Sequence, residues 1–266
     1  MELFEVLIVA FGGSIAALSV AAFLGKSLIS QLLAREMEAL RSRLKVEGDL
    51  LVESAKARLL RDARLDDRQF ELEQIMSRYR GPLLHAVYDL QSRLYNVLVN
   101  GFFDTYLIGG SATQRHYAEN NTAFLIAQFF SWTEIIRQEV QFIEFSESDK
   151  TRRLSDLRDE IYGLWQTDRF VDPLMIWAGE QRAIGELMIE QRGTQLTCKG
   201  YASFLRSFGA AQEPLMDRLT NAVHASAAAR ASAHDRLLAV QHKLIDILDV
   251  LDPDHVRFRA ASRSRA

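Results

Sequence analysis

Cysteine and proline are both scarce in this chain of 266 residues. Its single cysteine, Cys198, excludes an internal disulfide and any zinc or iron–sulfur site that needs several cysteines from one chain. Its four prolines leave long stretches in which a helix can continue without interruption. We therefore expect a mainly α-helical protein, and its lone thiol is compatible with a reducing cytoplasm.

The chain also lacks an excess of basic charge. Its formal net charge is −3, and acidic and basic residues alternate along the sequence. A surface dedicated to nucleic acid needs a strong basic excess, because affinity comes mainly from contacts with phosphates. We therefore expect no nucleic-acid partner.

Common catalytic signatures are missing as well. The sequence has no Gly-x-Ser-x-Gly, no His-Glu-x-x-His, no phosphate-binding loop and no dinucleotide fingerprint. It has no Glu-x-x-His pair of the kind found in di-iron bundles, and His224, His234 and His242 are ten and eight residues apart, not the three or four that place two ligands side by side. We therefore predict no catalytic residue, metal site or cofactor, and we assign no enzyme activity.

What the chain does contain is a long apolar run from Leu3 to Leu24, in which Glu5 is the only ionisable residue. As a helix it is long enough to cross a hydrocarbon layer of roughly 30 Å. A cleaved signal peptide would carry basic residues before the run, and a helix buried in a globular core would carry a polar stripe. We predict a transmembrane anchor over residues 1–26.

The flanks of this run predict its direction. Basic residues follow it and none precedes it, so the rule that positive charge stays inside places the N-terminus outside an inner cell membrane and the bulk of the chain in the cytoplasm. Small residues at four-residue spacings form one face, on which two anchors can approach closely. These residues are Gly12, Gly13, Ala16, Ala17 and Ala21.

Residues 27–80 form a charged segment with no proline, in which twelve basic residues from Lys26 to Arg80 stand against ten acidic ones. Leu33, Met37, Leu40 and Leu44 have the 4-3-4 spacing of a coiled-coil seam, but a change of phase near Gly48 breaks the heptad. The segment is either a self-associating helical stalk or a single charged helix whose narrow apolar stripe packs on its own domain.

Residues 81–254 predict a cytoplasmic helical bundle that starts with a new helix at Gly81-Pro82. We expect helices over about 83–106, 114–145, 148–170 and 214–251, with a small β-hairpin inserted at about 187–198. The segment 255–266 has four arginines and no acidic residue. We expect it to be a disordered basic tail that contacts anionic lipid.

A polar stripe on the first helix of this bundle predicts a candidate groove. Asp89 and Arg93 have the spacing of an i,i+4 ion pair, and the second helix adds further polar groups. The candidate groove residues are Asp89, Arg93, Asn96, Glu134 and Arg137. Gln91 falls on the apolar face and needs a buried partner, for which Asn121 and Gln128 are the candidates.

These features together predict a membrane-tethered cytoplasmic scaffold, adaptor or sensor. It would act through protein–protein interaction, with membrane lipid, a second copy of itself and an unidentified cytoplasmic protein as its partners. One alternative is a ligand-binding sensor or an unfamiliar enzyme that uses the polar groups of the helical core. The other is a membrane-acting effector of a defence or toxin type, in which the anchor itself assembles into a pore.

Overall fold

The computed structural model describes the backbone of residues 2–140, 149–208, 213–229 and 231–266. It describes the side chains of residues 23–71, 74, 77–139, 152–208, 213–229 and 234–266. The chain divides into two compact units, Met1–Asp66 and Asp67–Ala266.

The described chain is mainly helical and contains one small β-hairpin, as the sequence predicts. In chain order the elements are α1 (Glu2–Leu98), a π-helix (Phe103–Ile108), α2 (Ala112–Val140), α3 (Asp149–Gln166), α4 (Ala178–Leu187), β1 (Ile189–Arg192), β2 (Gln195–Cys198), α5 (Tyr201–Phe208), α6 (Pro214–Ala229), α7 (Ala231–Leu251) and a 3₁₀ turn (Ala260–Ser262). The helix expected over 214–251 is described as α6 and α7, on either side of residue 230.

None of the helices, over the residues described, is long and apolar enough to cross a membrane. The predicted anchor Leu3–Leu24 lies outside the described side chains, apart from Phe23 and Leu24. The anchor therefore stays a prediction.

The predicted helix boundary at Gly81-Pro82 is wrong, because α1 continues through Pro82. Proline lacks a backbone N–H and cannot donate to the carbonyl four residues earlier, which normally ends or kinks a helix. Here tertiary packing compensates for the missing bond. Tyr79 is buried in the core on one side of the proline, Leu83 and Leu84 are buried on the other, and Arg80 donates to the carbonyl of Leu251.

The core of the second unit lies around α2, whose predicted burial over residues 122–132 is confirmed. α2 packs against α4, α5, α6 and β2, and α3 packs against α7. The side chains with no exposed surface include Leu90 and Leu94 of α1, Ile126, Phe129, Phe130 and Ile135 of α2, Leu157, Ile161 and Trp165 of α3, and Leu244 and Leu248 of α7.

The predicted hairpin is confirmed. β1 and β2 are antiparallel, with Ile189 opposite Cys198 and Arg192 opposite Gln195. Gly193 has φ +63°, the left-handed conformation that a two-residue hairpin turn requires. A hairpin this short is marginal alone, and β2 packs on α2.

The expectation of a disordered tail over 255–266 is wrong, because this segment is folded onto the bundle. Asp252, at the end of α7, accepts hydrogen bonds from the backbone N–H groups of Val256 and Phe258 at 3.0 and 3.1 Å. The buried Arg263 donates to both Asp249 and Asp252. The expectation rested on the missing acidic residues within the tail, but the acids that neutralise it are supplied by α7.

Aromatic packing holds the same segment against α1. The ring of Phe258 stacks on that of Tyr88 with a centroid separation of 3.7 Å, and His85 meets it edge-on. Arg265 also reaches Asp246 at 2.6 Å. Two of the four basic residues of the tail, Arg263 and Arg265, therefore make side-chain contacts within the protein.

Candidate functional site

The polar residues predicted to form one groove lie at two separate places. Arg93 donates to the side-chain oxygen of Asn121 at 2.6 Å, so it turns toward α2 rather than to Asp89. Asp89 stays on the exposed face, where partial desolvation raises its pKa and nearby His85 opposes that rise. Asn96 hydrogen-bonds with Asn100 at 2.7 Å at the end of α1.

Glu134 and Arg137 form the second group. The Glu134 carboxylate is buried and accepts from Arg137 at 2.8 Å and from Gln138 at 3.0 Å. Burial alone would raise the pKa of Glu134, but the hydrogen bonds and the Arg137 charge outweigh it and hold that pKa below its usual value. This pair lines a small cavity of about 50 Å³ beside Tyr162, which is too small for a substrate.

Gln91 is buried, as the sequence predicts, but its partners come from other elements. Its side-chain oxygen accepts from Gln241 of α7 at 3.3 Å, and its amide donates to the carbonyl of Ser262 at 3.1 Å. Gln241 in turn donates to the carbonyl of Ser264. The two glutamines therefore anchor the tail instead of forming a site with Asn121 and Gln128.

A larger groove of about 710 Å³ lies where α1 ends and α2 begins. The π-helix forms one wall, and such helices are frequent at functional sites. Gly101, with φ +63°, allows the sharp change of direction between α1 and the π-helix. The lining residues are Asn96, Asn100, Phe102, Thr105, Tyr106, Thr113, Gln114 and Tyr117.

Arg93 lies behind the aromatic wall of this groove. Its guanidinium is 4.0 Å from the ring centroid of Phe102 and 5.7 Å from that of Tyr117. Burial lowers the pKa of Arg93, an effect that Tyr117 partly opposes. Its buried Nη1 atom has no hydrogen-bond partner among the described residues. The groove is thus lined by aromatic rings, with the buried cation of Arg93 behind them and outside its lining.

The most extensive surface feature is an apolar face along α1 of the first unit, which we call the α1 seam. Its large side chains each expose between 49% and 70% of their surface. They are Ile29, Leu33, Met37, Leu40, Leu44, Leu51 and Leu59. Soluble proteins rarely leave so many large apolar side chains in one contiguous patch unless the patch binds a partner.

No family model, curated protein or solved structure matches this chain. Evidence for its function therefore comes from the surface features of the chain itself. The small-residue face of the predicted anchor, Gly12, Gly13, Ala16, Ala17 and Ala21, lies outside the described side chains. The described residues contain no cluster of three metal-ligating side chains.

Cys198 has the surroundings of a packed residue. Burial raises the pKa of its thiol to about 11, so almost none of it is thiolate at neutral pH. Its Sγ donates to the carbonyl of the adjacent Lys199.

Sequence reasoning missed two features of the second unit. The aromatic groove depends on a π-helix, which leaves no periodic signal in the sequence. The buried pair of Arg236 and Asp172 joins residues 64 positions apart, and no local pattern predicts that contact.

Proposed function

We propose that this protein is a self-associating helical scaffold, tethered to the inner membrane by residues 3–24, that presents its folded helical domain to a cytoplasmic protein partner. The observation that carries the proposal is the exposed α1 seam. Seven large apolar side chains lie on one face of a charged helix, at least about half exposed. This surface has a large free energy to gain from association.

The stability of the helix itself favours association. Isolated helices are marginal in water, and most of their stability in proteins comes from burying one apolar face. Each exposed apolar Å² removed from water contributes about 25 cal/mol. An apolar stripe on one face of a helix, with charged residues on the other faces, is typical of helices that pair side by side.

The rest of the chain is consistent with a binding role. The described residues contain no metal-ligating cluster, and the buried polar groups at Glu134, Gln91 and Arg236 are paired within the protein. They stabilise the bundle and its tail. The proposed tether would concentrate copies of the chain in one plane, where weak pairing becomes effective.

Molecular mass in detergent solution tests the proposal. We expect the full chain to be oligomeric and the double variant Leu40→Asp/Leu44→Asp to be monomeric, because burying four carboxylates at a dimer seam is prohibitive. The matched control is Ser42→Asp, which adds a charge on the opposite face of the same helix and leaves the oligomer intact. A wild-type chain that is monomeric at high concentration would rule out self-association.

The aromatic groove supports a second candidate function, the binding of a small ligand that carries both an aromatic ring and an anionic or carbonyl group. Its volume of about 710 Å³ is in the range of ligand pockets. Phe102 and Tyr117 would stack on the ring, and the positive charge of Arg93, behind Phe102, would attract the anionic group.

The fluorescent probe 1-anilinonaphthalene-8-sulfonate has this chemistry and tests the candidate directly. We expect Arg93→Met to weaken probe binding severalfold, because the positive charge behind the aromatic wall is lost. Arg206→Met removes an exposed cation elsewhere and serves as the control. Equal binding by both variants would reject the ligand site.

A further inference from the structure

We infer that the partner of the α1 seam is a second copy of the chain, aligned parallel and in register on an 11-residue repeat. This inference rests on the proposed self-association and specifies its geometry. The apolar residues of α1 do not fit a continuous heptad repeat, because the heptad is interrupted near Gly48.

An 11-residue repeat accounts for the apolar residues on both sides of Gly48 without an interruption. Three columns run along the exposed face, each with a residue every 11 positions. The columns are Ile29, Leu40 and Leu51; Leu33, Leu44 and Ala55; and Met37, Gly48 and Leu59. All nine positions from 29 to 59 hold an apolar residue or glycine, and the large members are all exposed.

Gly48 is therefore a member of the seam and not an interruption of it. A Cβ built at this position meets nothing within 4 Å in the single chain. The position leaves room for a large side chain such as Leu44 or Leu51 of the second copy.

The repeat length determines the geometry of pairing. Eleven residues over three turns give about 3.67 residues per turn, close to the 3.6 of a straight α-helix. Two helices that keep this seam in contact therefore run almost straight, with a slight right-handed supercoil. The seam covers residues 29–59, which lie entirely within the first unit.

The charges beside the seam favour one orientation. Next to the seam on one side, the charged side chains over these residues are Arg41, Lys45 and Lys56, with Glu38 and Asp49 farther from the seam. The flank on the other side carries both seam-flanking acids, Glu36 and Glu47, together with Arg43 and Arg58.

In a parallel pair, each flank faces the opposite flank of the second copy. The basic flank then lies beside Glu36 and Glu47, and Glu36 is five residues from Arg41 of the second copy, the spacing of interhelical ion pairs in parallel coiled coils. In an antiparallel pair the two basic flanks face each other, so six cations line one edge. The charge pattern therefore selects the parallel arrangement.

Disulfide cross-linking of the full chain in detergent distinguishes the orientations. In a Cys198→Ala background, Leu33→Cys and Ala55→Cys each place one thiol in the central column. In a parallel pair, identical positions meet within disulfide reach, so each variant alone forms a covalent dimer under mild oxidation. We expect most of the chain to cross-link in both cases.

Gln31→Cys is the control, because its thiol lies on the opposite face, and we expect it to stay uncross-linked. If neither seam variant cross-links alone but a mixture of the two does, the pair is antiparallel and the inference is overturned while self-association stands. If no combination cross-links and the chain is monomeric by mass, both the inference and the proposed function fail.

Discussion

Arg236 and Asp172 form the most deeply buried ion pair that the structure describes. Both side chains have no exposed surface, and Arg236 donates to both carboxylate oxygens at 3.0 and 2.9 Å. The same guanidinium also donates to the carbonyls of Trp165 and Thr167 at 2.9 Å. One side chain of α7 therefore holds the whole connection between α3 and α4.

Arg236→Met tests this contribution. Removal of one member leaves a buried carboxylate and several carbonyls without partners, so we expect the free energy of unfolding to fall by about 3–5 kcal/mol. Urea denaturation followed by circular dichroism measures the change. Arg192→Met breaks the exposed pair with Glu190 and should cost less than about 1 kcal/mol. Equal losses of unfolding free energy in the two variants would contradict a larger contribution from the buried pair.

Glu134 gives the fold a dependence on pH. Its pKa in the folded protein lies below the ordinary 4.5, because Arg137 and Gln138 stabilise the carboxylate against the opposing effect of burial. A lowered pKa means that the ionised group stabilises the fold fully above about pH 4.5. That stability is lost as the pH falls through the folded value.

We therefore expect Glu134→Gln to destabilise the protein most at neutral pH and the difference from wild type to shrink below pH 4.5. Urea midpoints measured from pH 7 to pH 3 give the comparison. Glu186→Gln changes an exposed carboxylate on α4 and should have little effect. A Glu134→Gln difference that stays constant over this range would show that ionisation of Glu134 does not stabilise the fold.

At this scale the sequence predicts residue types better than partners. It shows that Gln91 needs a buried partner, because an amide on an apolar face cannot stay unsatisfied. It does not show that Gln241 and Ser262 supply the hydrogen bonds, since those residues are about 150 and 171 positions away. The candidate groove residues show the same limit, because helical spacing places Arg93 on a face but does not show that Asn121 is its partner.

Among the elements, α1 shows how tertiary packing overrides a local stop signal. Tyr79 and Leu83 are buried on either side of Pro82, and the helix continues through the proline.

Gly163 shows the ordinary effect of a glycine inside a helix. It lies in α3, where an added Cβ meets nothing within 4 Å apart from the adjacent residues. Gly163→Ala should therefore raise the unfolding free energy by roughly 0.5–1 kcal/mol, since alanine loses less backbone entropy. A thermal unfolding midpoint measures the gain.

Gly185→Ala is the opposite case and serves as the comparison. There a Cβ would lie 2.7 Å from the carbonyl oxygen of Phe130, because α4 packs closely on α2. We expect this variant to be less stable than wild type. If Gly163→Ala also lowers the midpoint, the space around position 163 is not open as described.

The tail depends on Asp252 in the same way that a helix cap depends on its side chain. Asp252→Asn removes the charge that binds Arg263 and weakens the hydrogen bonds from residues 256–258. We expect those backbone amides to exchange with solvent deuterium roughly tenfold faster or more, the effect of losing a charged hydrogen bond. Hydrogen exchange with mass spectrometry measures it.

Asp254→Asn is the matched control, since Asp254 is exposed two residues away. Its exchange rates should equal those of wild type. Unchanged exchange in Asp252→Asn would mean that aromatic packing of Phe258 alone holds the tail. The sequence correctly predicts the hairpin and the core helix but not this docking, because the tail's own composition does not include the acids of α7.

For the whole molecule, the two units differ in how they reach stability. The second unit buries a continuous core around α2, whereas the first exposes its large apolar residues, seven of which form the α1 seam. The sequence shows the apolar spacing from 29 to 59, and the structure adds that these side chains are exposed and therefore available for pairing. Pairing with a second copy follows from both observations together.

Distances between identical residues in the two copies test this account most directly. Gln31, Ser42 and Glu53 lie on the face opposite the seam and are spaced 11 residues apart, so their side chains leave the helix in the same direction. Single cysteines at these positions, in a Cys198→Ala background, carry spin labels without disturbing the seam. Pulsed electron paramagnetic resonance on the full chain then gives one interchain distance per position.

A parallel pair in register predicts the same distance at all three positions, within a few Å. An antiparallel pair centred near residue 42 would separate the labels at positions 31 and 53 by roughly 33 Å along the helix axis, at 1.5 Å per residue, while leaving those at 42 close. Equal distances would support the account. Distances that change with position, or the absence of any interchain distance, would contradict it.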